Sequence, residues 1–170
     1  QSNNGEIRFL NYYFDKLGTI RSKNYRSIIE LNRFYLEDGK SFIPDISTKF
    51  RVNNESYIFL FEQHNGKDTK RLVEQLHIHL LAIFQDVVSK KFNFNKSNRV
   101  AIVCEEKSVK EAVIDRLKKT DIFKNFYNYF IFKTNEELKK DFFNNWTLIN
   151  GEIVSFIQKS NSDCSNSKIF

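Results

Sequence analysis

Asp45, Glu62 and His64 are the side chains of this 170-residue sequence whose types and spacing point to chemistry. Hard divalent cations take oxygen ligands, and one aspartate with one glutamate on neighbouring strands leaves coordination positions for water and a phosphate oxygen. A neutral imidazole beside them can ligate a metal or act as a base. The pattern reads as a Mg²⁺ or Mn²⁺ site with Asp45 and Glu62 as ligands. It also fits solvated acids at strand ends with a histidine at a loop edge, because short motifs recur by chance.

A hairpin is what must bring these groups together. Residues 42–52 and 57–64 are rich in β-branched and aromatic types and flank the polar cluster 53–56, the pattern of an antiparallel pair. A turn centred between Asn54 and Glu55 sets Val52 opposite Tyr57 and Asp45 opposite His64. Side chains alternate along strands, so Asp45, Ser47, Lys49 and Arg51 share a face with Ile58, Leu60, Glu62 and His64. Ile46, Thr48, Phe50, Val52, Tyr57, Phe59 and Phe61 take the other face, which is almost wholly apolar. A slip of one residue would separate Asp45 from the other two.

Pro44-Asp45, followed by a hydrophobic strand ending in Glu62-x-His64, resembles the Pro-Asp…(Asp/Glu)-x-Lys pattern of the restriction-endonuclease-like, or PD-(D/E)XK, nuclease superfamily. Residues 66–76, Gly66-Lys67-Asp68-Thr69-Lys70-Arg71-Leu72-Val73-Glu74-Gln75-Leu76, and the strand 99–104 are similar to a narrower group, the replication-relaxation proteins and MOBC-type plasmid relaxases. The similarity covers residues 30–146. It implies an α/β fold with a central mixed β-sheet flanked by helices, arranged as a restriction-endonuclease-like core. It also implies Mg²⁺- or Mn²⁺-dependent DNA nicking or processing, by a relaxase or endonuclease, in plasmid mobilisation, conjugation or replication. DNA is then the partner, alongside other relaxosome or replication proteins.

On that resemblance Asp45 and Glu62 hold the metal and His64 sits beside the attacking group. Lys49, Arg51, Lys67, Lys70 and Arg71 contact phosphates. The group often has an acid in the strand before the Pro-Asp element, which is Glu30 here, and some nucleases carry a Gln-x-x-x-Tyr pair at the place of Gln75 and His79. The departure is His64, where the superfamily has lysine and the narrower group usually an acid. An imidazole does not supply lysine's permanent cation. That departure supports the alternative, a DNA-binding module on a catalytically decayed nuclease fold. A protein-interaction domain is the reading if the lysines are evenly scattered.

Composition sets the frame. A chain with 41% hydrophobic and 15% aromatic residues is a folded domain and not a disordered tail, and 5 glycines with 1 proline argue against an all-β design rich in tight turns. One nuclease-like domain over residues 1–159 is expected, with a flexible polar tail at 160–170. The absence of methionine, even at the first position, reads as a fragment of a longer chain. No apolar run is long enough to span a bilayer, and the expected location is the cytoplasm. Cys104 and Cys164 read as free thiols. A net charge of +6 permits a polyanionic partner without demanding one.

In chain order, apolar spacing predicts a helix over 6–17 that stops at Gly18, and a short strand over 27–35 where the periodicity fits neither element cleanly. A helix capped by Asp68 or Thr69 runs to about residue 89, with Leu72, Gln75, Leu76, His79, Leu80, Ile83 and Phe84 as its buried stripe and His77 pointing away. His79 is read as either a satisfied core residue or an orienting group. Residues 90–99 interleave Phe92 and Phe94 with cations, which suits either a nucleic-acid contact or a surface loop anchored by two phenylalanines. A buried strand 100–104, a helix 109–119 capped by Ser108 and a strand 128–133 follow. A helix over 135–145 opens on a Thr134–Glu137 capping box, and a hairpin of 146–149 and 152–157 closes across Asn150-Gly151.

Overall fold

The computed structural model describes residues 26–30, 32–52 and 54–157, with side chains over 32–49 and 54–157. The helix expected at 6–17, the tail at 160–170 and Cys164 lie outside the described residues. A seven-stranded sheet has the order β1-β4-β5-β6-β7-β8-β9, formed by β1 (Arg26–Glu30), β4 (Ile46–Val52), β5 (Glu55–His64), β6 (Arg99–Cys104), β7 (Phe130–Thr134), β8 (Trp146–Leu148) and β9 (Ile153–Val154). The pairs β5–β6 and β6–β7 are parallel and the rest antiparallel, so the sheet is mixed and the fold α/β as expected. Parallel neighbours need crossover connections. Helices α1 (Thr69–Phe84) and α2 (Val87–Lys91) make the first, and α3 (Lys107–Lys118) and α4 (Asp121–Lys124) make the second.

The core divides by sheet face. Leu72, Leu76, Leu80 and Ile83 of α1 and Val113 and Leu117 of α3 pack on Val100, Ile102, Phe130 and Phe132. On the reverse face Tyr57, Phe59, Phe61, Ala101, Val103 and Ile131 meet Leu138 of α5 (Asn135–Lys140), Trp146 and Phe156. Phe59 and Phe156 stack there at 4.1 Å between ring centroids. A third cluster of Phe34, Ile58, Leu60 and Val88 covers the α1-bearing face of the β5 hairpin. Among the described residues no helix is long and apolar enough to cross a membrane.

The hairpin forms, but its register differs from the sequence expectation. Ile46 pairs with Phe61 and Val52 with Glu55, so Asp45 lies opposite Glu62 and not opposite His64. Asn54 adopts φ 67°, the left-handed conformation that asparagine tolerates, and the tight turn leaves Glu55 and Ser56 free to join β5. The shift is two residues. It therefore preserves both faces, because the side-chain period is two.

Other expectations need correction. The segment 27–35 is not one strand: β1 belongs to the large sheet, whereas β2 (Phe34–Tyr35) pairs with β3 (Ser41–Phe42) in a separate ribbon. Phe34 draws that ribbon down by packing on Phe42 and Phe92. The helix from Thr69 stops at Phe84, because Asp86 takes a left-handed φ of 54° before α2 restarts. Phe84 is 72% exposed and does not join the buried stripe. The helix 135–145 ends at Lys140, where the Lys133 ammonium takes the Asp141 carbonyl and the Asp141 carboxylate turns back to cap Phe143 N–H and Asn144 N–H. Glu106 and not Ser108 precedes α3, and α4 with the 3₁₀ turn Tyr127–Tyr129 was not foreseen.

Candidate metal centre

Asp45, Glu62 and His79 meet where the hairpin's open end passes beneath α1. Pro44 is buried and is followed at once by β4, so the Asp45 carboxyl is delivered at the strand's first step. Its Oδ2 accepts the backbone N–H of Gln63 at 2.7 Å, which ties the two strands beyond their last ladder pair. Glu62 lies on the α1-bearing face and is 3% exposed. Its Oε1 stands 2.6 Å from Nε2 of His79, a buried residue on the inward stripe of α1. Asp68 caps that helix by accepting Arg71 N–H at 3.0 Å, which fixes where the stripe begins.

The protonation pattern follows from burial. Asp45 is pushed up to about 7, first by loss of water and then by the Glu62 carboxyl with which it shares a hydrogen bond. Burial pushes His79 down to about 3, against the pull of Asp45. A neutral His79 donates Nε2–H to Glu62, and its Nδ1 has no hydrogen-bond partner. An imidazolium would leave an N–H donor unsatisfied in a fully buried ring, beside the edge of Phe42 at 4.9 Å. Two carboxyls in contact do not both ionise readily, and near neutral pH the pair holds one proton. A divalent cation is the other means of keeping two carboxylates this close.

The remaining expected residues are arranged around this centre. His64 is half-buried at the end of β5 on the Glu62 face, and burial and the Arg71 guanidinium hold it below its ordinary 6.5. Its Nε2 is buried without a hydrogen-bond partner. Lys70 and Arg71 are exposed on the first turn of α1, and Lys67, also exposed, lies 3.8 Å from Glu106. Lys49 is four positions along β4 from Asp45, with its ammonium 5.9 Å over the Phe94 ring. Phe92 and Phe94 are half-buried against the third cluster and anchor the 90–99 loop. Gln75 is half-buried one turn before His79, and His77 turns its ring edge to Phe123 at 5.0 Å, away from Glu62. The backbone of Glu30 pairs with Ser47; its side chain and that of Arg51 lie outside the described residues.

No family model, curated protein or solved structure matches the chain. Among the described residues, no group of three or more His, Cys, Asp or Glu side chains is arranged to hold a metal ion. The protein ligands for an ion at this place are therefore the two carboxylates, which leaves positions for water and for a phosphate oxygen.

Sequence reasoning set His79 among accessory residues and left its partner unnamed. It missed Gln63, whose Nε2 donates to Asn65 Oδ1 at 2.9 Å and to Asn135 Oδ1 at 2.8 Å, joining the end of β5 to the start of α5. The alternation of β5 does place Gln63 on the face opposite Glu62, but its partner 72 residues away carries no local signal.

Proposed function

We propose that this chain is a divalent-metal-dependent DNA nicking or processing domain with a restriction-endonuclease-like core, acting in plasmid mobilisation or replication. The observation that carries the reading is the contact between Asp45 and Glu62 at the end of a hairpin, with His79 bound to the second carboxylate. The order of a hairpin followed by two parallel strands supports the same core. Asp45 and Glu62 would hold Mg²⁺ or Mn²⁺. An ion so held polarises a phosphate oxygen and lowers the pKa of a bound nucleophile.

Each neighbour has a defined task. The N–H of Gln63 orients Asp45, and the Nε2–H of His79 orients Glu62, as outer groups around metal ligands do. His64 is neutral near pH 7 and offers a ring lone pair to a proton in the position where lysine is usual. Lys70, Arg71 and Lys67 supply cations at the rim for phosphates, with Lys49 and Arg51 along β4.

The near-complete burial of Glu62 and His79 favours a second reading, a catalytically decayed DNA-binding module in which a shared proton replaces the ion. Nicking of supercoiled DNA with Mg²⁺ or Mn²⁺ separates the two. Activity in the wild type that Asp45→Asn abolishes supports the enzyme, and equal nicking by both proteins overturns it. Metal-independent, salt-sensitive DNA binding without nicking supports the decayed module.

A further inference from the structure

On the sheet face opposite Glu62, a cavity of about 270 Å³ opens at the end of β7, with Lys110, Lys133, Lys140, Asp141, Asn145 and Thr147 in its wall. Lys133 is wholly buried, its ammonium 5.3 Å over the Trp146 ring. It donates to a neutral acceptor, the backbone carbonyl of Asp141, and among the described residues no carboxylate lies within ion-pair distance of it. The two acids of the wall are engaged elsewhere. Glu137 binds the Lys110 ammonium at 2.7 and 2.9 Å and accepts Thr134 N–H, while Asp141 Oδ1 accepts Phe143 N–H and Asn144 N–H. A buried ammonium without a counter-ion is costly, so the cavity wall has a surplus of positive charge.

We propose that this cavity binds a phosphoryl group, seated between the ammonium groups of Lys133 and Lys140 with Asn145 and Thr147 beside it. Several donors of different kinds suit an oxyanion with several oxygens better than a single carboxylate. The volume lies below the usual range for small-molecule pockets, so it accommodates a phosphate or the end of a phosphomonoester and not a duplex strand. That phosphomonoester is either a small phosphorylated metabolite or the terminal phosphate of a nucleic acid. None of these residues belongs to the hairpin centre, so the proposal does not depend on a metal there.

The full chain is titrated by calorimetry with inorganic phosphate, with ribose 5-phosphate, and with a single-stranded DNA oligonucleotide bearing a 5′-phosphate or a 5′-hydroxyl. Saturable phosphate binding tighter than roughly 10 mM is expected, weakened roughly tenfold or more in Lys133→Met. A preference for the 5′-phosphorylated oligonucleotide assigns the ligand to a nucleic-acid end, and binding of ribose 5-phosphate with no preference between the oligonucleotides assigns it to a metabolite. Absence of saturable phosphate binding, or equal affinity in Lys133→Met with a native melting profile, overturns the proposal. Lys140→Ala, an exposed position, provides the same comparison if Lys133→Met does not fold, and unchanged phosphate affinity there also overturns it.

Discussion

Replacing Asp45 by Asn probes the hairpin centre through its electrostatics, before any activity is measured. Burial and Glu62 raise Asp45 from 3.8 to about 7. An acid whose folded pKa is raised contributes stability that is fully present below its unfolded value and lost as pH rises through the folded one. The window is therefore about pH 4 to 7. About three pH units at about 1.4 kcal/mol each is roughly 4 kcal/mol, an upper figure because Asp45 keeps some contact with water. Asparagine preserves the shape, accepts Gln63 N–H through its own oxygen and donates to Glu62 as the protonated acid does. In chelator, urea unfolding at pH 4 should find wild type and Asp45→Asn alike, and at pH 8 should find the variant more stable by up to that amount. Addition of Mg²⁺ or Mn²⁺ at pH 8 should then stabilise only the wild type, by about 2.7 kcal/mol at a hundredfold excess over Kd. A variant that is no more stable than wild type at pH 8 in chelator refutes the account of a strained carboxyl pair. Equal stabilisation of both proteins by metal refutes these two residues as its ligands.

The neighbouring histidine has the opposite sign. Burial holds His79 at about 3, so its contribution is present above 6.5 and lost as pH falls toward 3; in the Asp45→Asn background, where the opposing contribution is gone, urea midpoints should fall steadily across that window, and a flat profile would show His79 protonated in the folded state. At the turn, Asn54→Val places a β-branched residue at φ 67° and should lower stability by about 1–2 kcal/mol by thermal melting, whereas an unchanged melting temperature would mean that the left-handed turn does not set the register of β4 on β5.

Much of the fold was legible because it rests on local periods. The alternation along residues 45–64 assigned every described side chain of the hairpin to its correct face even though the pairing was two residues out. The α1 stripe, the Thr134–Glu137 box and the Asn150-Gly151 turn, with Gly151 at φ 89°, were read from spacing and residue type. Short elements were not legible. A two-residue strand such as β2 has no period to detect, and the early end of α5 depends on a lysine that precedes the helix.

Taken alone, the sequence determined which residues share a face, where helices begin and which acids lie near the hairpin's open end, since these follow from backbone geometry over a few residues. Tertiary structure decided that Glu62 and not His64 faces Asp45, that His79 is bound to Glu62, and that Lys133 is buried beside a cavity without an ionic partner. Each of those outcomes depends on a left-handed turn residue, a helix docked on a sheet, or strands joined across the chain. They arise from packing between segments distant in sequence, where no local pattern records which side chains will meet or lose their water.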